Sequence, residues 1–225
     1  MNLNNTLRFE LKFIFSSEEY FSLMSMLTQS EMEFKKAFPD RIVNSIYFDN
    51  FSLRNLRDNT DGVDYRSKLR IRWYDQEINA SKLEVKTRVT QLISKLSFNF
   101  FKNPIDSRLI RCSELVSHLR NNLFTLGAPW FDHSYLPSLF VTYDRQYYQN
   151  VGHNIRATVD TNLRFRELLS TNRVFGPFIQ LEDVVILELK FPPEDEKIAW
   201  EILKFIQRKP SSFSKYQAGW SLFDF

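Results

Sequence analysis

Apolar and charged positions alternate with a period of two along at least six stretches of this chain, and the alternation is clearest over residues 66–88. Arg66, Lys68, Arg70 and Arg72 interleave there with Ser67, Leu69, Ile71 and Trp73, so a pleated strand would carry every cation on one side. Lys82, Glu84, Lys86 and Arg88 interleave in turn with Leu83, Val85 and Thr87, and residues 75–81 between the runs, with Asp75 and Asn79, can close an antiparallel hairpin. A solvated face is the ordinary reading of one such strand. A repeated row of one sign is not, because like charges on one face repel and soluble surfaces normally mix signs.

The same period predicts strands over Leu7–Phe15, Arg41–Asn50, Leu92–Phe100 and residues 138–148, 154–165 and 184–191. Helical spacing takes over elsewhere. Ser16 with Glu19 forms a capping box, and Tyr20, Leu23, Met24 and Leu27 predict a helix from about Ser17 into the thirties, broken by Pro39 and Asp40. Ser113 caps a second helix through Leu123, with Gly127 as its stop. Glu194, Asp195 and Glu196 open a third, striped by Ile198, Ile202, Phe205 and Ile206 and closed by Arg208 and Lys209, which suits the helix dipole at both ends. The polar stretch 50–64 reads as a loop turning at Gly62, and 213–225 as a terminal segment with Lys215 beside Tyr216. Strands outnumber helices about two to one, an α+β pattern.

Composition narrows this further. With 225 residues, 43% of them hydrophobic and 22 of them Phe, the chain can bury a full core as a single domain over 1–225. Its 30 Lys and Arg face 27 Asp and Glu for a net charge of +3, so any strong field must come from sorting charge in space, and a general nucleic-acid coat is disfavoured. One cysteine, Cys112, and three scattered histidines (His118, His133, His153) offer no metal-ligand spacing. Five glycines build neither a GxxxxGK loop nor a GxGxxG turn, so phosphate would have to be held by side chains. No apolar run reaches the length of a membrane span, which predicts a soluble, cytoplasmic protein without direct membrane insertion.

Two architectures use the sorted charges, a flat sheet with its charged side to bulk water and a closed antiparallel barrel with a polar, basic lumen and helices packed on the outside; the barrel is the expectation, because a wet lumen occupied by a polyanion accounts for so many cations on inward faces. The later strands would add Tyr143 and Arg145, Arg156, Thr158 and Asp160, and Glu188 and Lys190 to such a lumen. Asp49, Glu10 and Glu84 read as ion-pair partners that keep the inner cations apart.

In order and spacing, RFELKF (8–13), SIYFDN (45–50), KLRIRWY (68–74), LEVKTR (83–88), YDR (143–145), RATVDTNL (156–163), LELK (187–190) and FSKYQAG (213–219) resemble the polyphosphate polymerase (vacuolar transporter chaperone, VTC) domain of the CYTH-like, or triphosphate tunnel metalloenzyme, superfamily. The resemblance runs from about Leu7 to Gly219. It implies an eight-stranded antiparallel tunnel and a metal-dependent phosphotransferase that moves the γ-phosphoryl group of ATP to a growing inorganic polyphosphate chain. By position in the matched motifs, Lys12, Arg70, Arg72, Lys86, Arg145, Arg156 and Lys215 would be catalytic phosphate ligands, and Arg8, Lys68, Lys95, Tyr143, Lys190 and Ser214 would add to substrate binding. Glu188, with Glu10, would take Mn²⁺ or Mg²⁺. Arginine forks suit phosphate, and hard carboxylates suit a hard cation.

The sister branch of cyclases and triphosphatases opens with ExExK, whereas Arg8, Glu10 and Lys12 stand at those positions here, which points to the polymerase branch. Other readings are a tunnel triphosphatase acting on ATP or tripolyphosphate, a non-catalytic polyphosphate-binding subunit and, well behind, an RNA-binding domain using Tyr47, Trp73 and Tyr143. Partners are then ATP and polyphosphate, with no nucleic acid; a membrane-protein partner would be needed for transport. The resemblance carries no oligomeric state.

Overall fold

A computed structural model describes residues 8–29, 33–89, 92–106, 110–125 and 134–223. In chain order the elements are β1 (Phe9–Phe15), α1 (Tyr20–Gln29), β2 (Phe34–Asp49), α2 (Arg54–Thr60), β3 (Tyr65–Tyr74), β4 (Lys82–Val89), β5 (Leu92–Asn99), α3 (Cys112–Thr125), β6 (Leu136–Asn150), β7 (Arg156–Glu167), β8 (Ile179–Gln180), β9 (Val185–Phe191), α4 (Glu196–Ile206) and α5 (Lys215–Trp220). The strands hydrogen-bond in the order β1-β9-β7-β6-β2-β3-β4-β5, with β8 beside β7.

That order corrects the expected barrel. Among the described residues no ladder joins β1 to β5, the two ends of the order, so the sheet is a large antiparallel one that hydrogen bonds do not close. Among the described residues the sheet has nine strands rather than eight. Side-chain alternation reports that each strand has an apolar and a polar face, whereas closure depends on edge hydrogen bonds, about which the alternation is silent.

Two compact units emerge, each with its own core. The first holds the described residues of Met1–Ile42, Tyr143–Leu163 and Gln180–Phe213. Phe13, Leu187, Leu189, Ala157 and Val159 occupy the apolar faces of β1, β9 and β7 and pack with Leu23 and Leu27 of α1 and Ala199, Ile202 and Ile206 of α4. The second holds Val43–Thr142, Arg164–Ile179 and Ser214–Phe225. Leu69, Ile71, Leu83 and Val85 of the β3–β4 hairpin pack there with Leu115, Leu119 and Leu123 of α3. Burying each such side chain contributes about 1.5–3 kcal/mol, enough to fix which face of every strand turns away from the core. Strands β2, β6 and β7 contribute residues to both units.

Local expectations fare unevenly. One arm of the capping box forms: the Ser16 amide donates to Glu19 Oε2 at 2.8 Å, but the Ser16 hydroxyl also donates to that oxygen, at 3.1 Å, and the Glu19 N–H donates to the Ser16 carbonyl at 3.2 Å. Helix α1 nevertheless ends by Gln29, and residues 34–38, expected as its continuation, are strand, as are Pro39 and Asp40, expected as its break, so the strand expected from Arg41 starts at Phe34. Pro39 sits in an exposed half of β2, where a missing N–H is tolerated. Gly127, Pro129, His133 and Leu7 lie outside the described residues, as does the side chain of Arg88. Segment 54–60, read as loop, is helix α2, and part of the terminal segment is helix α5.

Helix α5 is seated tightly. A methyl group on Gly219 would stand 2.6 Å from Leu139 Cδ2 and closer still to Phe165 Cδ1, both from fully buried residues. Gly219→Ala is therefore expected to lower stability by about 1–3 kcal/mol through overpacking. Urea denaturation checks this, and an unchanged midpoint would contradict it.

Candidate phosphate-binding site

Register decides which side chains share a face in the second unit. Tyr47 of β2, Arg70 of β3, Glu84 of β4 and Ser97 of β5 form one cross-strand row. Ser45, Arg72, Lys82 and Asn99 form the next row on one side, and Lys68, Lys86 and Lys95 the next on the other. Directly opposed residues stand about 5 Å apart, so three ammonium-bearing side chains neighbour one another with no carboxylate in their row. Burial of Leu69, Ile71 and Leu83 on the reverse face holds them there. Like charges so placed repel, and Glu84 of the neighbouring row relieves part of this by meeting Lys95.

One carboxylate organises this face. Glu84 Oε2 accepts from Arg70 Nε at 2.8 Å, lies 2.7 Å from Arg70 Nη2 and 3.9 Å from Arg72 Nη1, while Oε1 accepts from Lys95 Nζ at 2.6 Å. Burial opposes its ionisation, but Arg70, Arg72 and Lys95 together outweigh burial and hold the carboxyl far below the usual carboxylate range. Glu84 thus stays ionised and aims the cations. Hydroxyls complete the support: Arg70 Nη1 donates to Tyr47 Oη at 3.1 Å, and Arg72 Nε donates to Ser45 Oγ at 3.2 Å. Lys68 Nζ donates to Ser214 Oγ at 3.1 Å, which places Ser214 beside the lysine row, and the half-buried Lys215 follows it in the chain.

The first unit carries the other predicted residues on a face of mixed sign. Glu10, Lys190 and Arg156 form one row across β1, β9 and β7; Lys12, Glu188 and Thr158 form the next. Lys190 is bonded to Glu188 and stands 3.7 Å from Glu10, and Lys12 lies 3.4 Å from Glu10. Lys12 Nζ also donates to the Phe213 carbonyl at 3.2 Å. Arg145 is buried and committed to Asp160 by two bonds, Nε to Oδ1 at 2.6 Å and Nη2 to Oδ2 at 2.7 Å, with its guanidinium 5.2 Å from the centre of the Tyr143 ring. Burial disfavours its charge, yet Asp160 outweighs burial and keeps Arg145 protonated. Tyr143 is itself buried beneath that guanidinium, whereas Arg8 and Arg156 are exposed.

Glu10 and Glu84 thus pair with cations as expected, but Asp49 does not. Its oxygens accept from the backbone N–H groups of Asn50, Asn55 and Leu56 and from Tyr216 Oη, capping α2. The Asp-Asn pair ahead of a short polar run was the available signal for that helix. Burial outweighs these donors and leaves the Asp49 carboxyl above its ordinary value. Ser45 and Tyr47 were absent from the expected site because alternation shows a residue's face and not its partner. An apolar cavity of about 380 Å³ lined by Phe100, Ile105, His118 and Phe124 contains none of the predicted site residues.

The model of the VTC domain family matches residues 7–223. The chain belongs to that family. Solved structures described as putative adenylate cyclases share the fold of this VTC domain. A putative adenylyl cyclase from Hippeastrum, HpAC1, described as having a dominant triphosphatase activity, aligns at 16% identity over 97% of this chain and 98% of its own, with a TM-score of 0.54. A putative adenylate cyclase from Bacillus halodurans aligns at 16% identity over 94% and 96% of the two chains, with a TM-score of 0.53. One from Vibrio parahaemolyticus aligns at 14% identity over 96% and 98%, with a TM-score of 0.52. No curated protein sequence matches the chain significantly. Among the described residues no helix is long and apolar enough to cross a membrane.

Whether the VTC domain's residues suit a divalent cation can be tested on the mixed face. Among the described residues no three His, Cys, Asp or Glu side chains cluster. Glu188 and Glu10 do share one cation already, the Lys190 ammonium, and Thr158 Oγ1, in register with Glu188, is buried without a hydrogen-bond partner. Two hard carboxylates beside an unsatisfied oxygen fit Mg²⁺ or Mn²⁺, which commonly take one or two carboxylates and draw their remaining ligands from water and substrate phosphates.

Proposed function

We propose that this VTC domain is a polyphosphate polymerase that transfers the γ-phosphoryl group of ATP to the end of an inorganic polyphosphate chain. The observation that carries the reading is the lysine row Lys68–Lys86–Lys95 flanked by Arg70 and Arg72, a cation-rich face on which Glu84 answers Arg70, Arg72 and Lys95 and whose surplus positive charge a chain of phosphates would neutralise. Arg70, Arg72 and Lys86, and likewise Lys12, Arg145, Arg156 and Lys215, hold phosphate oxygens; Arg8, Lys68, Lys95, Tyr143, Lys190 and Ser214 support them. Phosphoryl transfer asks little covalent chemistry of a protein, so positioned cations that meet developing charge supply most of the catalysis. Glu188 and Glu10 hold the divalent metal, Mn²⁺ or Mg²⁺, which supplies further neutralisation of phosphate charge when bound. Residues 1–225 act as one catalytic domain in the cytoplasm, handing product to a membrane-protein partner.

A second reading is favoured by the triphosphatase activity ascribed to HpAC1: the same cations would then serve hydrolysis of ATP or tripolyphosphate. Product analysis separates the two. Purified protein incubated with ATP and Mn²⁺ is expected to yield chains that stain on a gel as long polyphosphate, together with ADP. Orthophosphate as the sole phosphate product would establish the hydrolase instead, and no turnover at all would leave a binding subunit.

A further inference from the structure

We propose that Tyr47 is a positioning residue for phosphate binding, its phenol oxygen holding one edge of the Arg70 guanidinium while Glu84 holds another, so that the plane and charge of Arg70 are set before a phosphate arrives. This rests on the reading of the charged ladder as a phosphate-binding face. Tyr47 and Arg70 are directly opposed on β2 and β3, and Arg70 and Glu84 on β3 and β4. Arg70 Nη1 donates to Tyr47 Oη at 3.1 Å, and Nε donates to Glu84 Oε2 at 2.8 Å. A guanidinium bonded along two edges cannot rotate without breaking a charge-assisted bond.

The phenol is itself immobile. It is 5% exposed and stacks on Tyr216 with ring centres 4.7 Å apart and planes 20° from parallel. Tyr216 Oη donates to Asp49 Oδ2 at 2.8 Å and lies 3.1 Å from Ser138 Oγ, which anchors the stack from α5. Tyr216 follows Ser214 and Lys215 in the chain, so one aromatic pair braces Arg70 and the start of α5 together.

The groups facing Tyr47 are Lys68, Arg70 and Arg72 from β3, Glu84 from β4 through its pair with Arg70, Tyr216 from α5 and, on its own strand, Asp49. Burial disfavours the phenolate, but Arg70, Arg72 and Lys68 together outweigh burial and bring the phenol down to about 8. Below that pH a neutral phenol accepts from Arg70 and leaves its charge for phosphate. Above it the phenolate cancels part of that charge. A bound phosphate therefore favours the protonated phenol, and affinity falls as pH rises through about 8.

Tripolyphosphate is the probe, with Tyr47→Phe as the variant that keeps the ring and its stack. Calorimetric titration is expected to show about tenfold weaker binding by the variant at pH 7, the scale of one hydrogen bond to a charged group. The wild type is expected to lose about tenfold more affinity than the variant between about pH 7 and about pH 9, the fraction ionised for a single group titrating near 8. Equal affinities with parallel pH profiles would overturn the proposal. A wild type that binds no tripolyphosphate would overturn the phosphate-binding reading, and the role of Tyr47 with it. If Tyr47→Phe does not fold, tyrosinate absorbance of the wild type decides: one tyrosine should ionise near pH 8 and shift upward when tripolyphosphate saturates the protein. Absence of that titration or of that shift would equally refute it.

Discussion

Replacing Asp160 with alanine is expected to cost about 3–5 kcal/mol of folding stability, the usual consequence of stranding one partner of a buried ion pair. Asp160 is fully buried and Arg145 almost so, and two short bonds join them across β6 and β7. Without the carboxylate, burial of the guanidinium has no counterweight, because Arg145 cannot shed its proton at any ordinary pH. For a chain of this length the loss corresponds to a fall in Tm of about 10 °C. Arg145→Met with Asp160→Leu should recover most of it, since removing both charges removes the desolvation penalty as well as the attraction. Calorimetric melts of the single and double variants check both statements, and a single variant that melts within about 1 °C of the wild type would contradict them. The double variant should still lose phosphate transfer, because stability and function ask different things of Arg145.

That pair also marks where sequence reading stops. Arg145 and Asp160 each stand on the expected polar face of an alternating strand, and period alone identified the face. Only the pairing of β6 with β7 and the two bonds it permits make Asp160 the clamp on Arg145. The same holds on the hairpin: the order of Arg70, Arg72, Lys86 and Lys95 was legible, whereas the opposition of Lys68, Lys86 and Lys95 in one row follows from ladder pairing. Closure of the sheet lay beyond reach for a related reason, since an open and a closed sheet share one side-chain period. Helix α2 escaped because its turn is held by Asp49 at the end of the preceding strand and not by an apolar stripe of its own.

The two faces differ in kind, and the difference suits two tasks. On the hairpin face one carboxylate, Glu84, answers Arg70, Arg72 and, from the adjoining row of Lys68, Lys86 and Lys95, Lys95. Under the proposed function such a face would attract a long anion and discriminate little between its units. On the β1–β9–β7 face carboxylates and cations alternate, so a small cation and a phosphate oxygen can both be met by a partner of opposite sign. Repulsion along the lysine row is tolerated because burial of Leu69, Ile71 and Leu83 beneath it contributes several kcal/mol that the row cannot overcome.

Glu188→Ala is expected to lower turnover by about 10³-fold while leaving the fold intact, at the upper end of what one removed electrostatic contact costs a transition state. Glu188 is 5% exposed and in register with Lys12, so its carboxylate is fixed by strand pairing and not by a mobile loop. Removing it leaves Lys190 with Glu10 at 3.7 Å and with water, because Lys190 is 39% exposed; stability should therefore fall by only about 1 kcal/mol. This asymmetry separates a site residue from a structural one, and Asp160 shows the reverse. Arg72→Ala should cost less, about 10²-fold, since Arg70 on the same strand face can take over part of its phosphate contact. Titration of Mn²⁺ into each variant in the presence of ATP adds a reading independent of turnover: Glu188→Ala should bind the metal more weakly, whereas Arg72→Ala should bind it as the wild type does. Full activity and unchanged Mn²⁺ affinity in folded Glu188→Ala would remove this carboxylate from the metal site, and the assignment of the mixed face would fall with it.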